Sequence, residues 1–244
     1  MSTGILTLIV LLCGLGLWFL APFALRKLET QRLDRLCRQN RAVVLTYDDG
    51  PTQGVSDEVL EVLAEQNAPA TFFVIGRQAV EQPDLITRLQ QGGHEVANHT
   101  HAHSNAWKVP PWTANRDIAA GQKTLAKLGV TSRVFRPPYG KTTLASLVFR
   151  VLNRLRFAYW TIDTQDSWDR RPIPDILAEI ERNGGGVILM HDFGQPRRGP
   201  EPQEHLDYVL KATREIINFA RKNNMELQRF SDLASGRGPG KAAA

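Results

Sequence analysis

The chain has two hydrophobic regimes. Residues 4–25, GILTLIVLLCGLGLWFLAPFAL, carry no charged side chain over twenty-two positions. A helix of that length crosses a hydrocarbon core of about 30 Å. A buried globular helix this long would show a polar face, so residues 1–25 read as one N-terminal transmembrane helix. A cleavable signal peptide competes, because APFA at 21–24 offers a small-residue cleavage pattern. The leading MSTG lacks the Lys or Arg such a signal needs, and the run is longer than its usual apolar region, so a retained anchor is expected.

From residue 42 onward short apolar runs alternate with helical periodicity. Strands are predicted at 42–47 (AVVLTY), 69–76, 94–99, 133–137, 157–163 (FAYWTID), 185–191 and 225–230. Helices are predicted at 56–66, with Ser56 or Asp57 near the N-cap, at 83–93, 113–129, near 141–155 and 174–183, and at 204–223. Strands alternating with helices of this length mean parallel βαβ units, and six or seven of them fit a small or incomplete α/β barrel of about seven strands. The expected organisation is an anchor (1–25), a basic juxtamembrane helix or linker (26–41), a catalytic domain (42–232) and a flexible tail (233–244).

Composition narrows the classes. At 244 residues and 42% hydrophobic, the chain can hold one good-sized core. Two cysteines give no disulfide framework; Cys13 lies in the apolar run and Cys37 in a basic stretch, and neither is expected to bind metal or act as a nucleophile. The net charge of +5 suits either nucleic acid or an anionic membrane. Arg26, Lys27, Arg32, Arg35, Arg38 and Arg41 crowd directly after the apolar run, which argues for the membrane and against nucleic acid. The same bias places the C-terminal domain in the cytoplasm. An extracytoplasmic domain is the competing arrangement.

In parallel barrels the chemistry sits at the C-terminal ends of the strands, and reactive residues gather there in this sequence. Asp48 and Asp49 end the first strand, in TYDDGP, where an extended backbone sends neighbouring side chains to opposite faces. His99, His101 and His103 follow the third, Arg136 and Tyr139 the fourth, Asp163, Asp166 and Trp168 the fifth, and His191 and Asp192 the sixth. Imidazoles at this spacing with a carboxylate are a normal Zn²⁺ set, and three ligands plus an open position is the catalytic pattern. His94, which opens its strand, and His205, on what reads as a surface helix, stay outside the constellation.

The motifs TYDDGP, HTHAH, RPPYG, DTQDSW and LMH resemble, in order and rough spacing, the five motifs of the polysaccharide deacetylase family (the NodB-homology domain, carbohydrate esterase family 4). The resemblance covers about residues 42–232. It implies a deformed (β/α) barrel and metal-dependent removal of acetyl groups from N-acetylated sugars. It makes Asp48 the general base and Arg136 the residue that holds it. Asp49, His99 and His103 become the ligands of a divalent metal, Zn²⁺ first and Co²⁺ or Ni²⁺ as alternatives. His191 becomes the general acid and Asp166 its orienting carboxylate. Tyr139 contributes a backbone N–H to the oxyanion, and Leu189 and Trp168 wall the acetyl pocket. Two departures stand out: Tyr47 replaces the usual Phe, and Ser167 intervenes between Asp166 and Trp168, which leaves Asp163 as an alternative partner for His191.

A cytoplasmic site beside the membrane would take a lipid-linked N-acetylhexosamine. An extracytoplasmic one would take peptidoglycan or exopolysaccharide. A deformylase or other amidase differs only in the acyl group, and an inactive sugar-binding module would have lost a base, ligand or acid that this chain keeps.

Overall fold

The computed structural model describes residues 3–194 and 201–235. Helix α1 (Thr3–Asn40) leads into β1 (Ala42–Asp48), α2 (Ser56–Glu65), β2 (Thr71–Val74), α3 (Gly76–Glu81), α4 (Pro83–Gln91), β3 (Glu95–Asn98), α5 (Pro111–Lys127) and β4 (Val134–Phe135). A 3-10 turn (Pro138–Gly140), α6 (Leu144–Leu152), β5 (Arg156–Phe157), β6 (Ile162–Asp163), α7 (Ile173–Asn183), β7 (Gly186–His191), α8 (Pro202–Lys222), β8 (Glu226–Leu227) and α9 (Phe230–Ser235) follow. The strands run parallel in the order β5-β4-β3-β2-β1-β7-β6, with β8 paired to the start of β1. The result is a curled half-barrel of seven strands.

The central strand β1 is buried at every position, as an apolar run covered on both faces should be. Its alternation sorts the core. Val43, Leu45 and Tyr47 pack outward with Val209, Ile216 and Ile217 of α8. Ala42 and Val44 point inward with Phe73, Phe135 and Phe230. Continuing along the inner face, Thr46 and Asp48 carry the interior up to the C-terminal end of the strand.

Two expectations change. The single strand expected at 157–163 is two short ones at opposite edges of the sheet: β5 pairs with β4, and β6 with β7. Residues 158–161 cross the seam, with Ala158 donating its N–H to the Phe135 carbonyl and Thr161 to that of Val187. The run FAYWTI does not reveal this, because Ala158 and Tyr159 in the crossing are as buried as Phe157 and Ile162 in the strands on either side.

Of the basic stretch expected as a helix or linker, residues 26–40 are the C-terminal half of α1, packed into the barrel rather than standing apart from it. Leu33 and Cys37 are buried in the inner core, with Leu36 against it. Asp34 bonds Thr161 in the seam crossing, Glu29 pairs with Arg150 of α6 at 3.0 Å, and Arg38 donates to the Asn183 carbonyl. Among the described residues no helix is long and apolar enough to cross a membrane. Within the expected span, the side chains of residues 6, 8–13, 15 and 19 lie outside those described, and the transmembrane expectation rests on them. Of the expected tail, residues 233–235 end α9 and 236–244 lie outside the described residues.

Candidate active site

Register assembles the site. Asp48 and His191 are direct partners across β1 and β7, so the two strand ends deliver a carboxylate and an imidazole side by side. Asp49 then leaves the strand with φ 73, a left-handed conformation that short polar side chains tolerate. This overturns the expected alternation: the turn re-aims Asp49, and both carboxylates line one cavity. The turn is held from the side by Asp192, whose carboxylate accepts from the Gly50 N–H at 3.0 Å and from the Ser56 hydroxyl at 2.6 Å. A Cβ on Gly50 would overlap that carboxylate, so glycine is required there. Burial pushes Asp192 up to about 7, against the lowering effect of the Ser56 bond.

Asp49, His99 and His103 offer one ligand atom each, all within 4.8 Å of one another. Asp49 Oδ1 lies 3.2 Å from His99 Nε2 and 3.0 Å from His103 Nε2. His99 donates its Nδ1–H to the Arg136 carbonyl at 2.8 Å, which leaves Nε2 as the free lone pair. Asp49 Oδ1 is buried with no hydrogen-bond partner of proper geometry. A carboxylate and two imidazoles converging on one point around such an oxygen fit a divalent cation. Burial raises the Asp49 carboxyl, but the close His103 and His99 imidazoles outweigh it and hold it well below the ordinary range. Burial likewise lowers His99, and Asp48 and Asp49 outweigh it upward.

The loop carrying these imidazoles is shaped by a residue the sequence reading missed. Asp117 of α5, buried, accepts the backbone N–H groups of His101, Ala102 and Ser104 at 3.1, 2.8 and 3.0 Å. That support holds Thr100 and His103 in left-handed conformations, φ 68 and 57, and so turns His103 back toward His99. His101 faces away, its Nδ1 against the Thr124 hydroxyl at 3.2 Å, and stays outside the ligand cluster.

Asp48 sits 3.8 Å from His99 Nε2 and pairs with Arg136. The Arg136 guanidinium, fully buried, donates to Asp48 Oδ1 at 2.7 Å and to the Thr46 hydroxyl at 2.8 Å, and lies over the Phe73 ring at 3.9 Å. On the other side of the cavity Asp166 grips His191 twice: Oδ1 accepts from Nδ1 at 2.9 Å and Oδ2 from the backbone N–H at 2.8 Å. Burial lowers the His191 imidazolium, but Asp166 outweighs it and lifts the group to about 10. Asp163 instead accepts from the Gln165 N–H at 2.8 Å. Ser167 does not displace Asp166 from His191.

His205 is the second residue the sequence reading misplaced. It is buried, not on a surface, and lies 3.5 Å from Asp166 Oδ2. Its ring meets Phe193 edge-on at 4.8 Å, and Phe193 meets His191 at 5.4 Å. Burial keeps His205 below its ordinary value, so it stays neutral and leaves the Asp166 charge to His191. Asp48, Asp49, His99, His103 and His191 line a cavity of about 570 Å³. Leu189, Tyr139 and Trp168 line it as expected, and Phe193, Trp160 and Ile75 join them. The Tyr139 ring packs 4.9 Å from that of His103.

A family profile described as polysaccharide deacetylase matches residues 35–160. A chitooligosaccharide deacetylase of Bradyrhizobium sp. (strain ANU 289) is 31% identical over 201 residues, covering 79% of this chain and 90% of that relative. A peptidoglycan-N-acetylglucosamine deacetylase of Bacillus cereus is 32% identical over 178 residues, covering 72% of this chain and 62% of that relative. Among solved structures, a family 4 carbohydrate esterase from Streptomyces lividans in complex with acetate superposes with a TM-score of 0.68 at 28% identity, over 82% of this chain and 98% of that one. The peptidoglycan deacetylase PdaC from Bacillus subtilis superposes with a TM-score of 0.66 at 26% identity, over 81% of this chain and 92% of that one.

Proposed function

The chain belongs to the polysaccharide deacetylase family, and we propose that it hydrolyses the N-acetyl amide of a sugar carried on a membrane lipid. One observation carries the reaction: the Asp49–His99–His103 cluster lies in one cavity with the Arg136-held Asp48 and the Asp166-held His191. Asp49, His99 and His103 would hold a divalent cation, Zn²⁺ foremost. Such an ion supplies Lewis-acid polarisation of the amide carbonyl and makes water a stronger nucleophile.

The chain's own groups then account for the protons. Asp48, fixed by Arg136, takes the proton of the attacking water. The Tyr139 backbone N–H is the donor to the developing oxyanion. His191, kept protonated by Asp166, gives its Nε2 proton to the leaving nitrogen as the C–N bond breaks. Acetate and the free amine are the products. Leu189 packs the acetyl methyl group, and exposed Trp168 offers the sugar a face to stack on.

The membrane part of the proposal rests on the uncharged run 4–25 and the basic flank after it, which favour an anchor with the barrel on the cytoplasmic side. The relatives support a second reading of the substrate, chitooligosaccharide or peptidoglycan, which would go with an extracytoplasmic domain. Acetate release by the purified full chain, supplied in turn with Zn²⁺, Co²⁺ and Ni²⁺, separates the substrates: polyprenyl-phosphate N-acetylglucosamine should be turned over faster than a chitooligosaccharide. Asp48→Asn should bind metal and release no acetate; near-native turnover by that variant refutes the assignment. A C-terminal reporter active on one side of the membrane reads the topology.

A further inference from the structure

The direction of α1 relative to the barrel carries an inference about which way the site faces. After Asn40 the chain reverses at Arg41, whose N–H bonds the Arg38 carbonyl, and β1 starts at once. Helix and strand therefore run in opposite senses. Arg38 meets Asn183, just before β7 begins, at the end of the barrel remote from the chemistry. Twelve residues earlier, Arg26 meets the catalytic end: its guanidinium is 3.4 Å from the Gly140 carbonyl and stacks over Trp160, which lines the cavity, at 5.0 Å. The helix continues N-terminally from there, through Pro22, to Thr3. It leaves the barrel from the face that holds the active site.

The coupling is stiff. Arg26, Glu29, Leu33 and Cys37 are all engaged by the barrel, and no loop separates them from the apolar run. Residues 4–25 as helix span about 33 Å, one hydrocarbon thickness, so Arg26 falls at the headgroup boundary with the Gly140 loop beside it. A second observation points the same way. The four tryptophans of the barrel, Trp107, Trp112, Trp160 and Trp168, all lie beyond the C-terminal ends of strands or at the start of the helix that follows. Trp107 and Trp112 are 60% and 63% exposed and line no part of the catalytic cavity. Indole rings exposed at that level suit a membrane–water interface.

We infer that α1 holds the catalytic mouth against the bilayer surface, so that the amide reaching Asp48 and His191 belongs to a sugar within one or two residues of a lipid phosphate. This rests on the anchor and deacetylase readings above. A long glycan polymer in bulk solution would meet the back of the barrel; a short soluble oligosaccharide diffuses into the site with or without the anchor, and a lipid-linked sugar enters sideways through the headgroup zone.

Two measurements on the full chain in phospholipid vesicles test it. In a Trp18→Leu variant the remaining tryptophans all belong to the catalytic end, and acyl-brominated lipids should quench their fluorescence well beyond unbrominated controls. No added quenching overturns the orientation. A twelve-residue Gly/Ser spacer between Phe23 and Ala24 should then abolish most of that quenching. It should lower turnover of vesicle-embedded polyprenyl-phosphate N-acetylglucosamine at least tenfold and leave soluble chitooligosaccharide turnover unchanged. Equal loss on both substrates, or loss on neither, overturns the proposal. Failure to co-float with vesicles would sink the anchor reading, and lack of turnover on both substrates the deacetylase reading; neither is mistaken for a wrong orientation, which quenching reads alone.

Discussion

Replacing Asp166 with Asn tests how His191 keeps its proton. In the native site Asp166 accepts from the imidazole Nδ1–H at 2.9 Å and from the His191 backbone N–H at 2.8 Å, and its charge lifts the imidazole to about 10 against the lowering effect of burial. An Asn fills the same space without the charge. His191 should then return toward its ordinary 6.5 or below, since burial alone acts downward. At pH 8 the protonated fraction falls from nearly all to about 3%, so an acid-dependent step slows by about 30-fold or more. The assay is the pH profile of kcat for acetate release. Its alkaline limb should move from near 10 to 6.5 or lower, with activity partly recovered near pH 5.5. Asp163→Asn, whose carboxylate bonds Gln165 rather than His191, should leave that limb in place. A uniform loss in Asp166→Asn, with the limb unmoved, refutes the argument. Stability carries the same sign: a histidine raised in the fold stabilises fully below its unfolded value of about 6.5 and ceases to as pH climbs toward 10. Denaturant midpoints of the native chain should fall across that window, and those of Asp166→Asn should not.

Asp117→Ala removes the acceptor of three N–H groups in the loop that carries His103, so metal affinity by calorimetry should drop about 10- to 100-fold with the fold intact. Gly50→Ala should cost most of kcat, because the added methyl would collide with the Asp192 carboxylate and shift the turn that aims Asp49; native kcat would show that the turn can relax. Leu33→Ala opens a hole in the barrel interior and should cost about 2–5 kcal/mol by denaturant unfolding. A change below about 0.5 kcal/mol, the scale of a surface position, would mean that α1 is only loosely attached.

Much of the site was legible because parallel strands end where chemistry begins, and each reactive residue stood just after an apolar run. What stayed hidden has a common physical signature. Asp117 lies on the stripe Ala114, Ile118, Gly121 and Leu125, and His205 on the stripe Val209, Ala212, Ile216; both stripes are buried faces of amphipathic helices. A charged or titratable side chain in such a stripe gives up its hydration, and the fold tolerates that only where something inside compensates. Asp117 is repaid by three backbone donors, and His205, kept neutral by burial, gives up less because it carries no charge. A lone polar residue on a helix usually faces water, which put His205 at a surface and left Asp117 unread, whereas the phase of each relative to its apolar neighbours places both inside. The same reasoning applies to α1. Six basic residues make 26–41 read as a juxtamembrane flank, yet Leu33, Leu36 and Cys37 recur at i, i+3 and i+4, the spacing of a helix face that packs. Arginine reinforces the disguise, since its aliphatic stem can lie on protein while the guanidinium reaches outward for a carbonyl; Arg26, Arg32 and Arg38 all bond main-chain oxygens of the barrel. Charge along this helix therefore records where it grips the domain.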